Sequence, residues 1–249
     1  MAMNMVGDFE NKEKNKMDDY VVVALYDNLE DAKDAVEELH ARGFLRDNIS
    51  LIANDVGGKY ARRLGKERDL DEKSAVDTTA EGAGLGAITG GLAGLLLGLS
   101  ALAVPGIGPV LAAGPLVAGL VGAGIGAATG GLLGALVEAG VPEEEAHYYA
   151  EGIRRGGTLV AVNTTQDNTN EAVDILDSYD PVDIERRAGV WRDTEWTGFD
   201  SSAADINAEE VEQHRIHHEE LEGYEDNENL YKDEDWTPVA VYRYPEEKK

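Results

Sequence analysis

The chain has 249 residues, no cysteine, and 49 acidic against 22 basic side chains, for a formal net charge of −27. That balance excludes a nucleic-acid-binding surface, because a phosphate polyanion needs a basic one, and it opposes electrostatic docking on anionic lipid. The missing cysteine removes disulfides, thiolate catalysis and Cys-ligated metals.

In chain order, residues 1–18 are polar and mixed in charge, and are expected to be disordered. No apolar core stands in the first 20 residues, so no signal peptide is expected and a cytoplasmic location is the default. Tyr20-Val-Val-Val-Ala-Leu25 predicts a buried strand. Asn28 is a good N-cap, with Glu30 and Asp31 in the first turn of a helix whose apolar face is Ala32, Ala35, Val36 and Leu39. Gly43 is placed to end it. Ile49–Ala53 predicts a second strand, and residues 54–81 a polar connector.

Residues 82–137 then form 56 consecutive positions without Asp, Glu, Lys, Arg or His. Glycine recurs every fourth residue in two runs: Gly82, Gly86, Gly90, Gly94 and Gly98, then Gly114, Gly122, Gly126, Gly130 and Gly134, with Ala118 filling the gap. Residues 82–94 and 122–134 match at 10 of 13 positions. A four-residue spacing lines one helix face, and a glycine face lets another backbone approach closely. Pro105, Gly106, Gly108 and Pro109 between the runs predict a turn. The expectation is a glycine-zipper helical hairpin over 82–137, its stripes serving helix packing or self-association. Residues 82–104 and 115–137 are each 23 long, enough for an apolar helix to cross a bilayer. Basic residues before and after the hairpin would hold both ends on the cytoplasmic side.

Past the hairpin, Pro142 opens a short helix within 138–155, carrying Ala146, Tyr149, Ala150 and Ile153 on its apolar face. Thr158–Asn163 predicts a third strand, Asn168 or Thr169 starts another helix, and Val182–Glu185 predicts a fourth strand. Residues 189–249 form an acidic tail; from 190 onward it holds 18 acidic and 6 basic residues. Asn207 with Glu210 is a capping pair before a polar helix. Thr237–Tyr244 has strand character, with Pro238 suiting an edge, and would dock on its own sheet or on a neighbour's.

The order β-α-β, insertion, β-α-β predicts an α+β, ferredoxin-like split β-α-β domain made of two halves, 19–53 and 156–188, with the glycine-rich α-helical hairpin inserted and the acidic extension behind. The stretches Val23–Leu39 with Gly43–Ser50, Val104–Pro109, and Glu145–Gly157 resemble the general stress protein 17M-like (heat-induced stress protein) family of bacteria, over roughly residues 20 to 190. That resemblance implies a stress-associated, non-enzymatic protein and supplies no catalytic residues.

No motif argues for an enzyme. Gly122-x-Gly124-x-x-Ala127 fits a dinucleotide fingerprint, but the same pattern arises from the glycine period and recurs at Gly82-x-Gly84-x-x-Ala87. His214 and His218 share a helix face with metal-ligand spacing, yet read more simply as part of a solvated polar helix. His147 is expected to pack or cap rather than act as an acid or base. No cofactor, metal or small-molecule substrate is expected. The expected partners are other copies of the chain and membrane lipid. The expected function is membrane insertion or self-association, placing the protein at the cytoplasmic side of the inner membrane or in a large cytoplasmic assembly. The alternative is a soluble homo-oligomer or filament with hairpins packed in a shared apolar core.

Overall fold

A computed structural model describes residues 20–58, 60–62, 99–122, 131–214 and 237–245. Its strands are β1 (Tyr20–Tyr26), β2 (Ile49–Asn54), β3 (Ser100–Val104), β4 (Gly108–Ala113), β5 (Thr158–Thr164) and β6 (Ala240–Arg243). Its helices are α1 (Leu29–Ala41), α2 (Pro115–Gly122), α3 (Gly131–Glu138), α4 (Glu143–Arg154), α5 (Thr169–Asp177) and α6 (Ile184–Asp193). The strands form one six-stranded antiparallel sheet in the order β3-β4-β2-β5-β1-β6, giving a mixed α+β fold.

The central strands β1, β2 and β5 are apolar at nearly every position because both faces of the sheet are covered. On one face Val22, Ala24 and Tyr26 pack with Leu29, Ala32, Ala35, Val36 and Leu39 of α1 and with Ala172, Ile175 and Leu176 of α5. On the other, Val21, Val23 and Leu25 pack with Leu132 and Leu136 of α3, Tyr149 and Ile153 of α4, and Trp191 of α6. Full burial of one such leucine or isoleucine contributes about 2 kcal/mol. Register is therefore fixed: a one-residue slip of β1 would exchange its two apolar sets between cores already filled.

Local signals start the helices. Asn28 caps α1 by accepting the Asp31 N–H at 3.0 Å. Asp183 caps α6 by accepting the Arg186 N–H at 2.9 Å. This second cap corrects the expectation of a strand over Val182–Glu185. Ile184, Arg187, Ala188 and Trp191 are the buried residues of α6, and that helical spacing outweighs two steps of apolar–polar alternation. The strand beside β1 is instead β6, from the far end of the chain, with Val21 opposite Tyr242.

A larger correction concerns the glycine-rich segment. Residues 100–104, expected to end the first helix, are strand β3, and across the expected turn β3 and β4 form a β-hairpin, with Leu102 opposite Val110 and Val104 opposite Gly108. The Ile107 N–H bonds the Val104 carbonyl at 3.0 Å and closes the turn. Pro105 and Pro109 forbid a continuous helix here, and Val104, standing before Pro105, is pushed toward extended geometry. β4 then adds to the free side of β2, where Val110 and Ala112 enter one core and Leu111 and Ala113 the other. Its apolar run is that of a strand covered on both faces, which composition alone does not separate from a buried helix.

The second expected helix, 115–137, is also divided. α2 and α3 pack side by side, which two segments of one straight helix cannot do. Among the described residues no helix is long and apolar enough to cross a membrane.

Candidate functional site

The glycine-rich segment remains the part of the chain with the least ordinary chemistry. Gly82, Gly86, Gly90, Gly94, Gly98, Gly126 and Gly130 lie outside the described residues. Of the others, Gly122 ends α2, Gly134 sits within α3, and Gly114 joins β4 to α2.

Gly114 is a contact glycine, but its neighbour is a strand of its own chain. A Cβ there would stand 2.1 Å from the Ile49 carbonyl oxygen and 2.5 Å from the Ser50 Cα, and its φ is +93°. Two residues on, the Leu116 N–H donates to the Ser50 hydroxyl at 3.1 Å, so α2 is anchored to β2 where it leaves β4. Gly134 differs: a Cβ added there meets nothing within 4 Å. Val137, three residues along α3, is also exposed. Leu132, Ala135 and Leu136 occupy the buried face of this helix, so Gly134 and Val137 mark the side turned away from the domain.

The turn residues Pro105, Gly106, Gly108 and Pro109 are clamped from two directions. The Arg154 Nε donates to the Gly106 carbonyl at 2.9 Å. From the tail, the Asp200 oxygen would lie 2.6 Å from a Gly106 Cβ, and the Asp205 Cβ lies 3.5 Å from the equivalent point on Gly108. Pro109 accepts the Asp55 N–H at 2.9 Å, while the Asp55 carboxylate accepts the N–H groups of Tyr60 and Ala61 at 2.7 and 3.2 Å. The β-hairpin is thus locked to the β2 end, to α4 and to the first part of the acidic tail. Spacing offers no signal for this, because the partners lie about 50 and 100 residues from the turn.

The tail is held at several further points. His147 Nδ1 accepts the Phe199 N–H at 3.0 Å, so this histidine fastens a loop. Asn207 and Glu210 cap each other reciprocally, at 2.9 Å from the Asn207 N–H to the Glu210 carboxylate and 3.1 Å in return. The helix they begin, residues 208–214, brings His214 toward Arg154, Arg155 and Glu151. Burial and then the Arg155 charge hold the His214 ring below its ordinary pKa. His217 and His218 lie outside the described residues.

Charge inside the domain is neutralised in place. Glu151, 1% exposed, accepts from the Arg155 Nε at 2.7 Å and from Arg154 at 3.3 Å. The Arg155 guanidinium also lies 4.8 Å from the centre of the Trp191 ring. Arg187 donates from both terminal guanidinium nitrogens, Nη1 and Nη2, to the Asp27 carboxylate, linking α6 to the end of β1. Among the described residues no group of three or more His, Asp or Glu is placed to hold a metal ion. The dinucleotide fingerprint at Gly122 follows helix α2 where it would require a strand. The arrangement offers two elements for contact, the uncharged β3–β4 hairpin and the outer side of α3. Comparisons of the chain with family models, with curated proteins and with solved structures each return no match.

Proposed function

We propose that this chain is a non-enzymatic structural protein that works by associating with other copies of itself through its uncharged, glycine-rich segment. The observation that carries this reading is a segregation of charge: 56 uncharged residues stand inside a chain of net charge −27. Like-charged copies repel one another over most of their surface, so contact is cheapest where charge is absent. Gly134 and Val137, open on α3, supply an apolar patch of low bulk for such contact, bounded by the exposed Glu138 that ends the helix.

The strand order β2-β5-β1-β6, with α1 and α5 together on one face, supports a ferredoxin-like split β-α-β scaffold carrying this segment. In that reading the β3–β4 hairpin and α2–α3 are the insertion. A stress-associated role in a bacterium rests on the resemblance of Val23–Leu39, Val104–Pro109 and Glu145–Gly157 to the 17M-like family. Self-association is favoured over lipid insertion because the first expected span runs into β3 and the second is divided between α2 and α3.

The test is sedimentation velocity without detergent, run beside flotation on neutral phosphatidylcholine vesicles. A particle larger than the monomer that does not float is expected, and Gly134→Leu should reduce its size. Flotation of the wild-type protein, or a monomer at all concentrations, would reject the reading.

A further inference from the structure

The two edges of the sheet are built differently. β6 is four residues long, carries an exposed Arg243, and is bracketed by Pro238 and Pro245 with Glu246 and Glu247 beyond. Short length, proline and charge are the devices that stop an edge from recruiting another strand. β3, at the opposite edge, is one residue longer and ends directly before Pro105, but Ser100-Ala-Leu-Ala-Val104 carries neither charge nor proline within it. Among the described residues only β4 pairs with it.

The ladder fixes which of its backbone groups point outward. Pro109 stands opposite Ala103 and has no N–H, and its carbonyl is turned to the Asp55 N–H on the β2 side. Ala103 and Pro109 are therefore a pair without ladder bonds. By alternation, Ser100, Leu102 and Val104 bond to β4, while Ala101 and Ala103 aim their N–H and C=O groups away from the sheet. The side chains of Ala101 and Ala103 are exposed and small, so they obstruct nothing.

We propose that β3 pairs antiparallel with β3 of a second copy of this chain, about a two-fold axis at Leu102. Ala101 then exchanges both backbone bonds with Ala103 of the second copy, and Ala103 with its Ala101. This deepens the self-association reading and rests on it. A second copy is the occupant the charge pattern selects, since it brings an identical uncharged strand where most of the acidic surface would be repelled. The geometry is self-complementary, as a closed two-fold interface requires. Leu102 is half-buried against the core that holds Val104 and Val110. At the axis it meets its own counterpart and loses its remaining exposure. The guarded β6 edge stops the sheet itself from extending beyond two copies. A strand edge is a small contact, of the size class of weak, transient encounters.

The chain has no cysteine, so Leu102→Cys introduces a single thiol. Directly opposed residues of a non-bonded antiparallel pair have Cα atoms about 4.5 Å apart, within disulfide reach. Mild oxidation of the full chain should cross-link most of the Leu102→Cys protein as a dimer, and little of a Val241→Cys control on the guarded edge. Ala101→Pro removes an outward N–H without touching the β3–β4 ladder. In the Leu102→Cys background it should abolish the cross-link, and alone it should shift sedimentation to smaller species with an unchanged far-UV spectrum. Ala101→Lys should do the same by charge repulsion, independently of any effect of proline on folding. Equal cross-linking at 102 and 241, or an unchanged assembly in both Ala101 variants, overturns the proposal. Loss of assembly in Gly134→Leu without a cross-link at 102 overturns the β3 edge and leaves self-association standing. A monomeric wild-type protein overturns both.

Discussion

Tyr242, in the last strand, donates its hydroxyl hydrogen to the Glu145 carboxylate of α4, 97 residues earlier in the chain. Its oxygen also lies 3.1 Å from the Tyr149 hydroxyl. An ionised carboxylate only accepts, and Tyr242 has one hydrogen to give, so the chain runs Tyr149 to Tyr242 to Glu145. Burial pushes both phenols above their ordinary pKa, and they remain neutral donors throughout the physiological range. This relay pins β6 to the helix layer beneath the sheet. The strand is only four residues long and needs such support.

Tyr242→Phe keeps the ring but takes the donor from Glu145 and the acceptor from buried Tyr149. Leaving such groups unsatisfied costs about 1–3 kcal/mol each, and a loss of about 2 kcal/mol in urea unfolding is expected. Tyr149→Phe removes only the first donor and should cost about 1 kcal/mol. The reverse order of the two variants would refute the direction of the relay.

Glu151 balances two arginines from inside the domain. Glu151→Ala strands Arg154 and Arg155 near a cluster that includes Trp191, and a broken buried pair costs about 3–5 kcal/mol. Arg154 also holds the Gly106 carbonyl, so the β3–β4 turn should loosen along with the pair. Hydrogen exchange at residues 104–108 in this variant should speed up more than exchange in α1. Equal acceleration in both regions would mean that Glu151 supports only global stability.

Two glycines from one sequence stripe should respond oppositely to alanine. Gly114→Ala drives a Cβ into the Ile49 carbonyl at a backbone angle that L side chains rarely adopt. A loss of several kcal/mol, about 3 or more, is expected from strain and the displaced strand. Gly134→Ala meets open space in a helix, so the monomer should gain about 0.5–1 kcal/mol from helix propensity. Thermal unfolding at concentrations below self-association separates the two. Destabilisation by Gly134→Ala under those conditions would place a neighbour against α3 within the single chain.

That contrast shows how far the sequence was legible. α1, α4 and α5 carry a clear helical period, and Asn28 marks the start of α1; β1, β2 and β5 are short, nearly continuous apolar runs, and the Asn207–Glu210 pair is visible from spacing alone. The run 100–113 was not legible as strands. Its Ala, Leu, Val and Gly suit a glycine-striped helix and a doubly covered strand equally, and what decides between them is the vacant side of β2, a long-range fact. Val182–Glu185 misled for the same reason: the place it would fill beside β1 is taken by β6, more than 50 residues later. The clamp on Gly106 from Asp200 is wholly tertiary. A period of four in glycine therefore reports small side chains on a possible face, while the partner of that face, as at Gly114, is set by topology.

The docking of residues 208–214 should depend on pH through His214. Its folded-state pKa is lowered chiefly by burial and then by Arg155, with Arg154 acting in the same sense and Glu151 and Glu210 against it. An unfolded or undocked His214 titrates near its ordinary value of about 6.5. Between that value and the lower folded one, the undocked state binds more protons, so docking is stabilised as pH rises. The contribution is fully present above about pH 6.5 and is lost as pH falls through the folded-state value. Hydrogen exchange of residues 208–214 should therefore show greater protection at pH 7.5 than at pH 5, after correction for the intrinsic rate. His214→Gln retains a polar side chain that does not titrate, and it should flatten this difference while leaving β1 and β5 unaffected. A pH dependence of the same size in His214→Gln would assign the effect to another group and overturn the role given to His214.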